Sequence, residues 1–289
     1  MDITVELVKR LMTEQFPEWQ KLAIRPVEKS GHDNRTFHLG TDKTVRLPSG
    51  KAYASQIEKE LRWLPEFQTQ ITCAIQTPVA KGLPSDEYPY FWSINQWLVG
   101  ETLTKENVTD ASQLAKDLAQ FLTELQAMDA SKGPVAGAHN FYRGGDLSVY
   151  AQETKEKLIA YQGLFPVEKL KIIWDQATQS QWQKTPVWVH GDVAVGNLLV
   201  VEGRLSAVID FGVLGVGDPA CDYVLAWTYF DTEDAQTFKE ALNCDDATWQ
   251  RAKGWALWKA LISYHPTQAT SEMSLWAKRT IDALLADPN

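Results

Sequence analysis

The sequence predicts an α+β chain of two unlike parts, a small antiparallel sheet first and a mainly helical part after it. Three observations carry this. Residues 23–48 alternate short β-rich runs with turn formers: AIRPVEKS, GHDN, RTFHLG, a turn at Thr41-Asp42-Lys43, then TVRLP, which is the pattern of hairpins. From Thr109 onward most apolar residues recur at helical spacing instead. Residues 187–225 interrupt the helices with VWV, LLVV and LSAVI, short apolar runs bounded by Gly and Asp. At 289 residues and 44% hydrophobic content the chain can bury a substantial core, as one large or two smaller domains.

Val5, Val8, Leu11, Met12 and Phe16 lie near helical spacing and Pro17 stands at the end, so residues 4–16 form an opening helix. The hairpin sheet of residues 23–48 follows, with Gly31 the one residue of the loop Ser30–Asn34 that lets backbone approach a ligand closely. An ordinary hairpin turn would use the same residues. In AYASQIEKELRWL, Ile57, Leu61 and Leu64 share a helical face, and steps of 100° put Glu60 nearer its centre than Glu58. A strand near Ile71–Ile75, a turn-rich KGLPSDEYP and a buried strand in YFWSINQWLVG come next, with a break at Gly100.

Leu114, Leu118, Phe121, Leu122, Leu125 and Met128 then mark an amphipathic helix with Thr109 or Asp110 as its N-cap. Residues 131–145, rich in Gly, Ala and His, read as a loop, and 147–182 as mostly helical with breaks near Gly163 and Pro166. The C-terminal part is helical. Its acidic run Asp231–Asp234 reads as a helix start or a solvated face, and Trp249, Trp255, Trp258 and Trp276 as core rather than as a substrate cage.

Chemistry concentrates in 187–225, VWVHGDVAVGNLLVVEGRLSAVIDFGVLGVGDPACDYVL. His190, Asp192, Asn197 and Asp210 fall on loops at strand ends, in the order His-Gly-Asp, Asn five residues on, then Asp-Phe-Gly. Any one of these could merely cap a turn. As a set they suit phosphoryl transfer: one Asp accepts a hydroxyl proton, while an Asn oxygen and a second carboxylate are hard ligands for Mg²⁺.

On these residues the chain resembles the aminoglycoside phosphotransferase family, with the macrolide kinases as close relatives. HGDVAVGNLLV and VIDFG are similar to that family's catalytic and metal loops, and a weaker likeness runs over most of the chain. The resemblance implies the protein-kinase-like two-lobed fold: an antiparallel-sheet N-lobe over residues 1–98 that binds nucleotide and a mainly helical C-lobe over 99–289 that holds the catalytic and substrate-binding surface. It implies transfer of the γ-phosphoryl group of ATP or GTP to the hydroxyl of a small molecule, an aminoglycoside or macrolide antibiotic among the candidates. The resemblance assigns Asp192 to the acceptor hydroxyl, His190 to bracing the loop, and Asn197 and Asp210 to Mg²⁺. Arg46 stands where kinases carry a phosphate-binding Lys, a departure that keeps the cation but changes its shape; Glu60 is its expected partner. Ser30 and Gly31 would lie over the phosphates, and the backbone of Gln96, Trp97 and Leu98 would meet the base. Gly191 replaces the Arg usual in protein kinases, and no long activation segment follows Asp210-Phe211-Gly212. Asp218 and Asp222 are expected to cap a helix N-terminus.

Composition limits the alternatives. The N-terminus has neither a basic region nor a long apolar run, and nowhere do eighteen apolar residues run together, so neither a signal peptide nor a spanning helix is expected and a cytoplasmic location is the default. Three cysteines without paired spacing read as ordinary thiols. A net charge of −9 argues against nucleic-acid binding and is compatible with a cationic acceptor. Three other functions stay open: a metabolic hydroxyl kinase of choline, homoserine or fructosamine type, a non-catalytic nucleotide-binding module, and a metal-dependent hydrolase, for which the chain lacks a ligand-spaced His cluster.

Overall fold

The computed structural model describes residues 2–28, 31 and 33–287. The chain divides into two compact units, one of residues 1–101 with 206–212, the other of 102–205 with 213–289. A single cut after residue 98 leaves Ser206–Gly212 on the helical side; in the structure those residues count with the first unit.

In the first unit, α1 (Val5–Gln15) starts at Thr4, whose side chain accepts from the Leu7 N–H at 3.2 Å. Strands β1 (Ile24–Pro26), β2 (Asn34–Leu39) and β3 (Lys43–Pro48) form the antiparallel hairpins the turn residues predict. Helix α2 (Lys51–Phe67), β4 (Ala74–Ile75), β5 (Pro78–Gly82) and β6 (Trp92–Gln96) follow. The sheet order is β1-β2-β3-β6-β5, every neighbouring pair antiparallel. Strand β5 is a correction, because part of it fell in what reads as a turn-rich stretch. A glycine ends it for a packing reason: a Cβ on Gly82 would lie 1.9 Å from the Trp92 ring.

Alternation sorts β3 between two faces. Val45 and Leu47 join Leu7, Val8, Leu11 and Met12 of α1 in one apolar cluster, together with Trp92 and Ile94 of β6. Thr44 and Arg46 point to the opposite face, where α2 packs. Burying these side chains, at about 25 cal/mol per Å² of apolar surface, is the main stabilisation available to so small a sheet.

The second unit takes over near β7 (Glu101–Thr102). Helix α3 (Ala111–Ala127) has Asp110 as its N-cap, accepting from the Gln113 N–H at 2.8 Å, and buries the predicted Leu114, Leu118, Phe121, Leu122 and Leu125. A turn-rich stretch leads to α4 (Ala151–Ala160) and α5 (Val167–Ala177), separated around Gly163 and Pro166. Then come β8 (Val187–Val189), β9 (Leu198–Val201), β10 (Arg204–Val208) and β11 (Gly215–Gly217). Strand β11, missing from the sequence expectation, pairs antiparallel with β8, Val216 opposite Trp188. The end of β10 belongs to the first unit, where Ala207 and Val208 pair in parallel with Ala74 and Ile75.

Helices α6 (Leu225–Thr228), α7 (Thr232–Ala241), α8 (Asp246–Ser263) and α9 (Glu272–Ala286) complete the unit. Asp231 caps α7 by accepting from the Glu233 and Asp234 N–H groups, so the acidic run is a helix start. Trp249, Trp255 and Trp258 are buried on α8, which packs against α5 and α9. Trp276 is half-buried. Cys221 is buried and Cys73 and Cys244 are half-buried, none of the three in a disulfide. Among the described residues no helix is long and apolar enough to cross a membrane.

Candidate active site

The first unit assembles an ion cluster around Arg46. From β3 its guanidinium Nη1 donates to both Glu60 oxygens of α2, at 2.6 and 2.7 Å, and to Gln76 Oε1 at 3.3 Å; Nη2 donates to Asp210 Oδ1. Arg46 and Glu60 are almost fully buried, while the Asp210 side chain stays 42% exposed. Burial works against the Arg46 charge, but the Asp210 and Glu60 carboxylates outweigh it and hold Arg46 above the ordinary arginine range. Burial also raises the Glu60 carboxyl, with Arg46 opposing. Glu58 is exposed and Glu60 buried, as expected from their positions on the helical face.

Asp210 sits in the left-handed region, at φ 66°, and its N–H lies 3.4 Å from Gln76 Oε1. Non-glycine residues adopt that conformation only where surroundings over-determine it. Phe211 beside it is buried, and a Cβ on Gly212 would come within 2.8 Å of Gln56 Oε1, so the chain is closely packed immediately after Asp210. Gln76 carried no sequence signal.

Ser30 lies outside the described residues. The Gly31 carbonyl accepts from Arg35 Nη1 at 2.8 Å, and a Cβ there would meet nothing within 4 Å, so the folded chain leaves open space at this glycine. Gln96 and Trp97 spend their N–H groups within the unit, on Thr77 O at 3.1 Å and Asp42 O at 2.8 Å. A base contact by these two residues would therefore run through carbonyl oxygens. The Trp97 ring leans on His38, centroids 4.5 Å apart, and Leu98 is half-buried.

In the second unit the candidate catalytic loop grows from the end of β8. Gly191 has φ 84°, and a Cβ there would lie 2.6 Å from Val213 O, so the position that holds Arg in protein kinases must here be glycine. Asp222 fastens the loop: its buried carboxylate accepts the His190 and Gly191 N–H groups, each at 2.7 Å. This corrects the expectation that Asp222 caps a helix. Asp218 does act as an N-cap, accepting from Ala220 N–H at 3.1 Å in the 3₁₀ turn Pro219–Asp222, and also pairs with Arg251 at 2.6 Å. His190 is fully buried, and its Nδ1 accepts from the Asp192 N–H at 3.2 Å, which suits a brace.

Asp192 is held at both carboxylate oxygens. Lys259 Nζ donates to Oδ1 at 2.8 Å, and Asn197 Nδ2 donates to Oδ2 at 3.1 Å and to the Asp192 carbonyl at 2.9 Å. The amide nitrogen of Asn197 being so engaged, its Oδ1 is the atom turned elsewhere. Burial pushes the Asp192 carboxyl up, but Lys259 and then Arg143 and His190 pull it further down, to about 2. The group is ionised at neutral pH and a weak base, with its side chain still 40% exposed. Lys259, 67 residues along the chain on α8, is the neighbour of Asp192 that the sequence did not reveal. Nothing in its local pattern distinguishes it from a solvated lysine.

A family model described as the phosphotransferase enzyme family matches residues 23–255. Comparison with curated proteins gave no match. Among solved structures, the GDP complex of wild-type aminoglycoside 2'-phosphotransferase-IIIa superposes with a TM-score of 0.74 at 18% identity, covering 96% of this chain and 97% of that one. Macrolide 2'-phosphotransferase MphH from Brachybacterium faecium gives 0.63 at 18% identity, covering 99% of each chain. The streptomycin-ATP-APH(2'')-IIa ternary complex gives 0.60 at 20%, covering 97% and 96%. At these identities the structures establish the kinase-like fold. The sequence match spans most of the chain, and by it this protein belongs to the phosphotransferase enzyme family.

Proposed function

We propose that the protein is a small-molecule kinase that transfers the γ-phosphoryl group of ATP or GTP to a substrate hydroxyl. The observation that carries this is Asp192: a carboxylate oriented at both oxygens, ionised and open to solvent on a loop that Asp222 and His190 hold rigid. Structural relatives whose names record GDP, ATP, streptomycin or macrolides support the reaction class. The family assignment weighs against the non-catalytic module and the hydrolase.

The donor set fits Mg²⁺. Among the described residues no group of three or more His, Cys, Asp or Glu is gathered to cage a metal. Mg²⁺ uses one or two carboxylates and fills the rest of its shell with water and substrate phosphates; Asp210, 42% exposed, and Asn197 Oδ1 are such donors. When bound, the ion neutralises charge on the transferring phosphates.

Arg46, held charged by Asp210 and Glu60, contributes a fixed cation for phosphate oxygens. Asp192 orients the acceptor hydroxyl and takes its proton late. A carboxylate held at about 2 is too weak a base to ionise an alcohol early, which matches a loose transition state that asks little of the base. Lys259 fixes the direction of that carboxylate.

Nucleotide turnover with ATP and with GTP, measured across a library of hydroxylated compounds, tests the proposal. At least one acceptor should stimulate diphosphate release, and Asp192→Asn should lower kcat about 10²–10⁴-fold while nucleotide KM barely moves. Stimulated turnover that survives Asp192→Asn would remove Asp192 from the reaction.

A further inference from the structure

Arg143 lies in the loop before α4, and its guanidinium makes no hydrogen bond or ion pair among the described residues. Its partners are the indole faces of Trp258, 4.7 Å from the ring centroid, and Trp255, 5.3 Å away. Such stacking holds the plane and leaves the N–H edge unspent. Half-buried arginines ordinarily spend these donors, because five N–H groups taken partly out of water need acceptors.

The residue is firmly placed. Buried Asn140 donates from Nδ2 to the Arg143 carbonyl at 2.9 Å and accepts the Gly137 N–H at 3.0 Å; the Arg143 N–H returns to Asn140 O at 3.1 Å. Phe141 and Tyr142, just before it, are both left-handed, at φ 52° and 54°, and both exposed. Two consecutive aromatics in that conformation cost on the order of 1–3 kcal/mol each. The Phe141 carbonyl accepts the Tyr150 hydroxyl at 2.7 Å, and Tyr150 stacks on Trp258 with centroids 3.9 Å apart. Trp258 is pinned in turn by Glu153, which accepts its Nε1–H at 2.7 Å.

Arg143 also lies against the catalytic loop. A Cβ built on Gly191 would come within 3.1 Å of the Arg143 Cβ, and Lys259, next to Trp258 on α8, holds Asp192. Two cations thus flank the proposed catalytic carboxylate. The acids nearby are committed, Asp192 to Lys259 and Asn197, Glu153 to Trp258. An ammonium would find no uncommitted carboxylate in this cluster and two like charges beside it.

We propose that Arg143 is an anion receptor for the acceptor, so that the hydroxylated substrate carries a carboxylate or phosphate that docks on the guanidinium edge beside Asp192, over the Tyr150–Trp258 stack, and is not a polycation. This rests on the kinase reading for the identity of the bound molecule as an acceptor. The same fork would also suit the terminal phosphate of the nucleotide, so the experiment separates the two sources.

Inorganic phosphate and 4-hydroxybenzoate are titrated calorimetrically into nucleotide-free protein at constant ionic strength, with kanamycin as the polycationic competitor. Wild type should bind at least one anion saturably, Arg143→Gln should weaken it about 10-fold or more, and kanamycin should not compete. Arg143→Lys, which keeps the charge but not the fork, should fall between; unchanged circular dichroism and melting of both variants show that the fold is intact. Absence of saturable binding, equal affinity in Arg143→Gln, or competition by kanamycin overturns the proposal. So does weakening of ATP binding but not ADP binding in Arg143→Gln, which would assign the fork to the terminal phosphate. None of these measurements needs turnover, so a chain that fails as a kinase would leave the anion result standing by itself.

Discussion

Breaking the Arg46–Glu60 pair tests whether the first unit is built around that ion cluster. The pair is buried on both sides, and the two contacts at 2.6 and 2.7 Å leave no room for water between them. Removing one member of such a pair costs about 3–5 kcal/mol, because a charge is left without its partner. Glu60→Leu should fall at the low end, about 3 kcal/mol, since Arg46 keeps Asp210 and Gln76. Arg46→Met should fall at the high end, since it strands Glu60 beside the Asp210 charge. The double change removes both buried charges, so it should cost less than the sum by about 2–3 kcal/mol. Urea unfolding of the four proteins at one pH, checked for equal m-values, gives that coupling. The pH dependence has a definite sign. Burial already holds Glu60 above its unfolded value in the wild type; without Arg46, burial and the Asp210 charge raise it further, so the folded variant keeps its proton to higher pH and the deficit of Arg46→Met should grow as pH rises above the wild-type Glu60 value. In the proposed function the same pair holds the nucleotide phosphates, so both single variants should raise nucleotide KM. Strict additivity in stability and in KM would mean that the pair is not a unit.

Asp210→Asn should abolish most metal-dependent turnover and leave the melting temperature within a few degrees, because it removes a charge from a half-exposed side chain; unchanged activity across a Mg²⁺ titration would take Asp210 out of the metal site. Asp222→Ala leaves the His190 and Gly191 N–H groups unpaired in a buried place, and should cost about 1–3 kcal/mol per group together with a fall in kcat, read by denaturation and kinetics on one preparation. Gly191→Ala should destabilise by more than about 1 kcal/mol, since its φ of 84° and the Val213 oxygen 2.6 Å from the new methyl both oppose it; an unchanged melting temperature would contradict that geometry.

Local chemistry determined a good part of this protein. Thr4 and Asp110 cap their helices because a side-chain oxygen before an apolar periodic run has backbone N–H groups to satisfy. The hairpins of β1, β2 and β3 follow from period-2 runs and turn residues, and Glu60 was chosen over Glu58 by helical geometry alone. His190, Asp192, Asn197 and Asp210 could be proposed together from the sequence because their spacing is local.

What the tertiary structure decided lies where partners are far apart in sequence. Strands β5, PVAKG, and β11, GVG, carry Pro or Gly and a weak strand pattern; pairing with β6 and β8 makes them strands. Asp222 looked like one more helix cap because its two backbone donors lie 31 and 32 residues away. Lys259 and Arg143 were invisible for a related reason. Helix α8 is buried nearly all round, so no periodic face shows which of its residues meets Asp192. Arg143 sits in a loop whose conformation is set by Asn140 and by the Trp258 stack. Periodicity reports only which face of an element is wet; which charge meets which across a core depends on how distant elements pack, and only the folded chain brings those residues together.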